Sequence, residues 1–288
     1  MVDRAYRAVD LEAKAYLWQW EQLWSNPYEQ RTLKKIQDLP FNEQEPGETL
    51  RQRYRVVDTE NRGSRGRRSS NKSHRNLMSP IFDDIIGSNL GTPIQSLDQI
   101  YVQAAGLYPH VKHKVKQWAV TSRAYFPLNT IGGGWGVEEM FVKSYEAAID
   151  PQVWHKIKWA TLKRRERAIE KVVRSYAGDV SKLLDVCRQS IIFDNCSDLY
   201  NCLKAIVNDP EAVIMRAKNR LNPDYDAEKR SAGYRDVCLN MRLVNSHTTN
   251  LGVDGHVFEL QLLLMAFAKM KNEDGHKHYV EFRNAQGQ

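Results

Sequence analysis

The sequence predicts an α+β chain organised on one sheet, with helices packed mainly on one of its sides. From Pro151 onward, stretches of helical period and stretches of strand period alternate in the order helix, strand, helix, three strands, helix. The hydrophobic share of 42% is a little under the usual, yet it fills a core and excludes a disordered chain. Before residue 150 the character of the chain changes repeatedly. The expected division is a helical N-terminal extension (1–60), a basic flexible linker (61–79), an irregular or helical segment packing on the next domain (80–150), and the α+β domain (151–288).

Residues 4–38 read as helix, because Tyr6, Val9, Tyr16, Trp20 and Leu23 recur at three- and four-residue steps. Pro27 marks a break or a new helix start. Trp18, Trp20 and Trp24 are more bulk than a lone surface helix needs, so this helix either packs on the later domain or docks on a partner chain. Further on the period dissolves. Arg62, Arg65, Arg67, Arg68, Lys72 and Arg75 stand among Gly, Ser and Asn, the composition of a solvated linker or of an arm (62–75) that touches RNA through phosphate charge. Pro80, Pro93, Pro109 and Pro127 interrupt short apolar segments. The IGGGWG run, Ile131 to Gly136, lacks both the Lys-Ser/Thr of a P-loop and the spacing of a dinucleotide fingerprint, and reads as a glycine-rich turn.

After Pro151 the signals sharpen. Trp154 to Gly178 reads as one helix, on which Lys163, Arg167 and Lys171, at four-residue steps, form a basic stripe. LLDVCRQSIIF comes next as a strand with Asp185 at its start and a buried apolar half. CSDLYNCLKAIVND is a helix with Ser197 as its N-cap. HVFELQL is a last strand on which Glu259 and Gln261 point the same way, and LLMAFAKMKN closes as helix.

The chain is organised around Val213 to Arg242, two strands joined by a polar connection. In the first strand Arg216, Lys218 and Arg220 alternate, so all three cations share one face. In the second, Tyr234, Asp236 and Cys238 share a face, and Gly233 stands where a bend or a close backbone approach is cheap. A row of cations beside an aromatic offers a nucleotide charge for its phosphates and a flat surface for its base. The same pattern also describes a half-exposed hairpin with charges on its wet side.

The net charge of +7, with a sequence pI near 9.1, permits polyanionic partners. Cys187, Cys196, Cys202 and Cys238 form no CxxC pair and no His cluster stands at ligand spacing, so no zinc site is expected. Isolated cysteines fit an intracellular, reducing compartment, the cytoplasm or an organelle after removal of a presequence. No apolar run reaches about 18 residues, which leaves no membrane-spanning helix. The N-terminus, with early acids and no clean apolar centre, is not a signal peptide.

The order of short motifs from Lys163 to Arg283 resembles the RelA/SpoT-like nucleotidyltransferase domain, in particular a divergent DxxR branch, over residues of about 160–284. The matching strings are Leu162-Lys163 through Arg167 to Lys171-Val172, Asp185 and Arg188 before Ser190 to Phe193, and Lys218-Asn219-Arg220. They continue with Gly233-Tyr234-Arg235-Asp236, Glu259-Leu260-Gln261, and Gly275-His276 with Tyr279 and Arg283. No one string is specific; the six in order are.

The resemblance implies a mixed five-stranded sheet with flanking helices and the site on its concave face. Its alarmone synthetases move the β,γ-pyrophosphate of ATP to the 3′-hydroxyl of GDP or GTP, and some relatives pyrophosphorylate adenine nucleotides or the 3′ end of tRNA. On that resemblance Asp185 and Glu259 hold Mg²⁺, and Glu259 takes the proton of the attacking hydroxyl. Lys163, Arg167, Lys171, Arg188, Arg216, Lys218 and Arg220 clamp phosphates, Tyr234 stacks on the acceptor base beside Arg235, Gln261 orients a carboxylate or ribose, and His276 belongs to the closing motif. Departures are visible: Asp236 stands where the better-known synthetases have Ser, Cys187 where they have Gly, and Leu262-Leu263 where they have Arg-Thr. No His-Asp metal site precedes the domain, so the hydrolase half of bifunctional members is not expected. The function this implies is Mg²⁺-dependent pyrophosphate transfer from ATP to a nucleotide or RNA end. The alternatives are a silent RelA/SpoT-like subunit anchored in a larger, RNA-containing assembly, and a toxin module acting on tRNA.

Overall fold

Apolar and polar residues alternate along four C-terminal stretches, and these form the heart of a mixed sheet. The computed structural model describes residues 2–40, 49–55, 90–129 and 141–270. The basic arm, the IGGGWG run and the closing His276 motif lie outside the described residues.

The four strands are β5 (Arg188–Phe193), β6 (Ala212–Asn219), β7 (Val237–Leu243) and β8 (Phe258–Leu264). Two short strands from earlier in the chain, β3 (Tyr125–Pro127) and β4 (Phe141–Lys143), extend the sheet past β5. The order is β4-β3-β5-β8-β7-β6, with β5–β8 parallel and the other pairs antiparallel. Among the described residues the sheet therefore has six strands, not the expected five, and β3 and β4 are the two supplied from before Pro151. A separate hairpin joins β1 (Arg53–Arg55) to β2 (Leu90–Pro93).

One face of the sheet is apolar. Ile191, Phe193, Leu239, Met241, Leu243, Phe258, Leu260, Leu262 and Leu264 are all buried. Across them lies α7 (Cys196–Val207), burying Leu199, Cys202, Leu203 and Ile206. Its N-cap is Asn195, whose side chain accepts from the Asp198 N–H at 2.8 Å, not the expected Ser197; Asn reaches the third turn position from a β-region backbone. Beside α7, and also against β5, packs α3 (Leu97–Thr121), with Ile100, Ala104, Leu107, Val111, Val115 and Trp118 on its inner stripe. Pro109 does not interrupt this helix. A mid-helix proline costs about 3 kcal/mol, and six buried side chains offset it.

The helix expected over 154–178 is broken. Short α4 (Ser144–Ile149) and α5 (Pro151–Lys156) come first, residues 157–164 run extended, and only then does α6 (Arg165–Tyr176) begin. Tertiary backbone bonds override the helical period: Lys158 N–H donates to the Pro127 carbonyl at 2.8 Å and Lys163 N–H to the Val186 carbonyl at 2.9 Å. The polar connection before β7 likewise holds a single-turn helix, α8 (Ala227–Ser231), and α9 (Ser246–Asn250) comes after β7. The chain then enters β8 and α10 (Met265–Met270).

The N-terminal helices α1 (Val2–Ser25) and α2 (Pro27–Gln37) pack on this body, with Pro27 starting the second. Tyr16 stacks on Phe267 at 6.0 Å and meets Tyr234 edge-on at 5.9 Å. Trp20 covers the Arg235 guanidinium at 3.8 Å. Trp18 alone of the three tryptophans is largely exposed, at 56%. Gly233 permits the contact: its φ is +83°, and a Cβ there would stand 2.8 Å from Tyr16 Cβ and 2.9 Å from the Ala13 carbonyl.

Candidate functional site

The face opposite α7 is where the chemistry gathers. Strand registers place Arg188, Glu259, Asn240 and Arg216 side by side in one cross-strand row, and Ser190, Gln261, Cys238 and Lys218 in the next. Residues two apart on each strand share a face, so both rows look the same way. An apolar cluster of Ile192, Leu263 and Ala268 closes one end of this charged floor, and Leu50, Leu184 and Val257 close the other.

Within the floor the polar contacts are ordered. Gln261 Nε2 donates to Glu259 Oε1 at 3.0 Å, so it orients a carboxylate. Arg216 donates through Nε and Nη2 to Asn240 Oδ1, at 3.0 and 2.7 Å, which holds the guanidinium over β7 beside the Glu259 row. Crowding by protein atoms, then repulsion from Arg216 and Arg220, lowers the Lys218 pKa, although the side chain still reaches solvent. Desolvation, with Glu259 and Asp236 adding, raises the Cys238 pKa well above the thiol range, so it is a neutral thiol in the floor.

Asp185 lies three residues before β5, buried, and two lysines reach it. Lys163 Nζ and Lys171 Nζ both donate to its Oδ2, at 3.0 and 2.9 Å. Burial alone would raise the Asp185 pKa; Lys171 and then Lys163 outweigh it and bring the carboxyl down to about 2. The lysines are not equivalent. At Lys163 desolvation wins and the pKa falls, whereas at Lys171 burial is outweighed by Asp185, Tyr176 and Glu259 together and the pKa rises. Lys171 thus feels both carboxylates. Asp185 Oδ1 is buried and has no hydrogen-bond partner.

Lys163, Lys171, Asp185, Arg188, Arg216, Lys218, Glu259 and Gln261 therefore meet on or beside one sheet face. Lys163 does so from the extended segment, not from a helical stripe. Other expected residues do not. Arg167 points away, exposed and bonded to Glu170 at 2.9 Å. Arg220 is bridged to the fully buried Asp236, its phosphate-clamping charge already matched. The Tyr234 hydroxyl donates to Asp236 at 3.0 Å and its ring packs on Tyr16, because the chain reaches β7 only at Val237; it presents no free platform for a base. Arg235 is buried and donates to the carbonyls of Arg220, Asn222 and Tyr225, a tie within the fold and not a ligand group. Asn240, Ser190 and Cys238 are floor residues absent from the sequence expectation, although alternation from Glu259 and Lys218 across the partner strands would have found them.

Two surface hollows of about 140 and 260 Å³ lie elsewhere, lined from the N-terminal helices by Tyr28, Arg31 and Lys35 and by Gln19, Gln22 and Glu29. They contain none of these charged residues. Among the described residues no helix is long and apolar enough to cross a membrane. All four cysteines are free and buried.

No family model matches the chain, and no curated protein does. Among solved structures it is similar to the Type VI effector Tas1, crystallised with its immunity protein, at 17% identity and TM-score 0.37 over 67% of this chain and 78% of that one. It is also similar to a GTP pyrophosphokinase family protein from Streptococcus pneumoniae, at 14% identity and TM-score 0.36 over 73% and 81%. At TM-scores below 0.5 neither likeness decides anything about the site or its chemistry.

Proposed function

We propose that this chain is a RelA/SpoT-like pyrophosphotransferase, moving pyrophosphate from ATP to the 3′-hydroxyl of a nucleotide or of an RNA end. The observation that carries the reading is Glu259, oriented by Gln261, in a row between Arg188 and the Asn240-held Arg216, with Lys171 bonded to Asp185 and feeling both carboxylates. Arg188, Arg216, Lys218, Lys163 and Lys171 offer cations to a polyphosphate, arginine in bidentate geometry. Gln261 holds one oxygen of Glu259 and turns the other toward an incoming hydroxyl, whose proton it accepts. The acceptor oxygen attacks the β-phosphorus, the bond to the α-phosphate oxygen breaks, and AMP leaves. Fixed cations matched to that charge need no reorganisation during the step.

The residues fit Mg²⁺. The unpartnered, buried Oδ1 of Asp185 is a hard donor. No cluster of three acidic, His or Cys ligands exists among the described residues, and Mg²⁺ bound by one or two carboxylates completes its shell with substrate phosphates and water. Asp185 and Glu259 would hold it, where it supplies charge neutralisation to the transferring phosphates.

Incubation with labelled ATP, Mg²⁺ and a panel of nucleotides and RNA 3′ ends should yield labelled acceptor and AMP, and Glu259→Gln should reduce transfer by about a thousand-fold or more, the loss expected for an essential general base acting with its neighbours. Equal silence of wild type and variant over the whole panel would sink the catalytic reading. A second reading has its own support: with Tyr234 packed inward and Arg220 matched by Asp236, the expected base platform is taken up within the fold. A chain that binds ATP but transfers nothing would be a silent subunit of the same fold.

A further inference from the structure

Two chain segments carry the acids, and one buried side chain joins them just upstream of both. The Glu259 N–H donates to the Cys187 carbonyl at 3.0 Å, and the parallel ladder then runs from Arg188↔Glu259 to Phe193↔Leu264. One rung earlier that ladder would use the Val257 N–H. Here the N–H donates instead to Gln52 Oε1, at 2.8 Å. Gln52 Nε2 in turn donates to the Val257 carbonyl at 2.7 Å and to the Leu183 carbonyl at 3.3 Å. A side-chain amide thus stands in place of a backbone rung, two residues before Glu259 on one side and two before Asp185 on the other.

The amide is itself held firmly. Gln52 has no exposed surface. Its N–H donates to the Ser181 carbonyl at 2.7 Å, and its carbonyl accepts from the Ile94 N–H at 3.0 Å. Leu50, Leu184 and Val257 pack around it, and the neighbouring Arg51 is paired with Asp179. Every polar atom of the side chain is used, so its position is over-determined. A wedge one amide wide keeps the incoming ends of β5 and β8 apart, and the side chains two residues further on inherit that spacing.

We propose that Gln52 is a positioning residue for the acid pair, setting the separation of the backbones that carry Asp185 and Glu259 and so the geometry in which transfer takes place. The kinetic part of this inference rests on the function proposed above; the geometric part does not. Gln52→Met keeps the volume and removes the bonds. In the folded variant kcat should fall about ten- to a hundred-fold, the usual cost of losing an outer partner that orients a site. KM for ATP should stay within about two-fold, because Arg188, Arg216 and Lys218 are untouched. Independently of activity, the Glu259 backbone amide, bonded to the Cys187 carbonyl and not to Gln52, should lose protection from hydrogen exchange by about ten-fold, since the spacing that seats it is no longer held. Should the methionine variant fail to fold, Gln52→Asn, which keeps an amide too short to bridge both segments, takes its place with the same two readouts. Folded variants with wild-type kcat and wild-type protection of the Glu259 amide overturn the proposal, as does a KM that climbs in step with falling kcat while that protection stays put. If wild type transfers nothing, the enzymatic reading fails alone and the exchange of the Glu259 amide decides for or against Gln52.

Discussion

Lys163 and Lys171 reach one oxygen of one buried carboxylate from different parts of the chain, and the cost of removing either is predictable in sign. Lys171→Met leaves Asp185 with a single cation; its titration should move up from about 2 toward the ordinary carboxylate value, and stability should fall by about 2–3 kcal/mol, as for a buried charge losing a partner. NMR titration and urea unfolding would measure the two effects. The charge in the short strings around these two lysines stood out in the sequence, whereas their four-residue spacing was misread as one helical stripe, Lys163 standing on the extended segment before α6. Arg220, Tyr234 and Arg235 were misread for another reason. Asp236, two residues from Tyr234, was read as sharing its strand face and not as its hydrogen-bond partner; Arg220 meets the same carboxylate across the connection, and Trp20 reaches Arg235 from a helix about two hundred positions away.

Elements were legible where burial alone set them. The β5, β6, β7 and β8 strands and α7 arise from apolar alternation and period. The break between α5 and α6 did not show, because the 157–164 segment is held by backbone bonds to Pro127 and Val186 that outweigh its helical period. Pro109 inside α3 misled in the other direction. The docking of α1 depends on a glycine. Gly233→Ala would put a methyl into the Tyr16 Cβ and the Ala13 backbone at a positive φ, so both strain and collision act together. The expected loss is about 2–4 kcal/mol, with Trp20 fluorescence shifting to the red as the helix lifts; unchanged stability and emission would show that α1 is not seated on the turn.

At the scale of the whole molecule, acid sensitivity near neutral pH comes from a buried histidine just before β8. His256 is fully buried with its Nε2 unpartnered, and desolvation lowers its pKa from 6.5 to about 3. Below pH 6.5 the unfolded chain binds a proton that the folded chain refuses, so the stability this group governs falls as pH drops through that range and stops falling near 3, where protonation of Asp185 takes over. Urea midpoints taken between about pH 7 and 4 should decline steadily, and His256→Gln should flatten the decline. The strand order has another consequence. Among the described strands β8 comes last in the sequence, yet it lies between β5 and β7 and bonds to both. Until it is synthesised, the growing chain carries two half-sheets with bare inner edges, and loop closure over long separations must precede their union. A nascent product stalled before Phe258 is therefore a sticky pair of fragments, and the finished chain's yield should depend on chaperones that mask strand edges during synthesis.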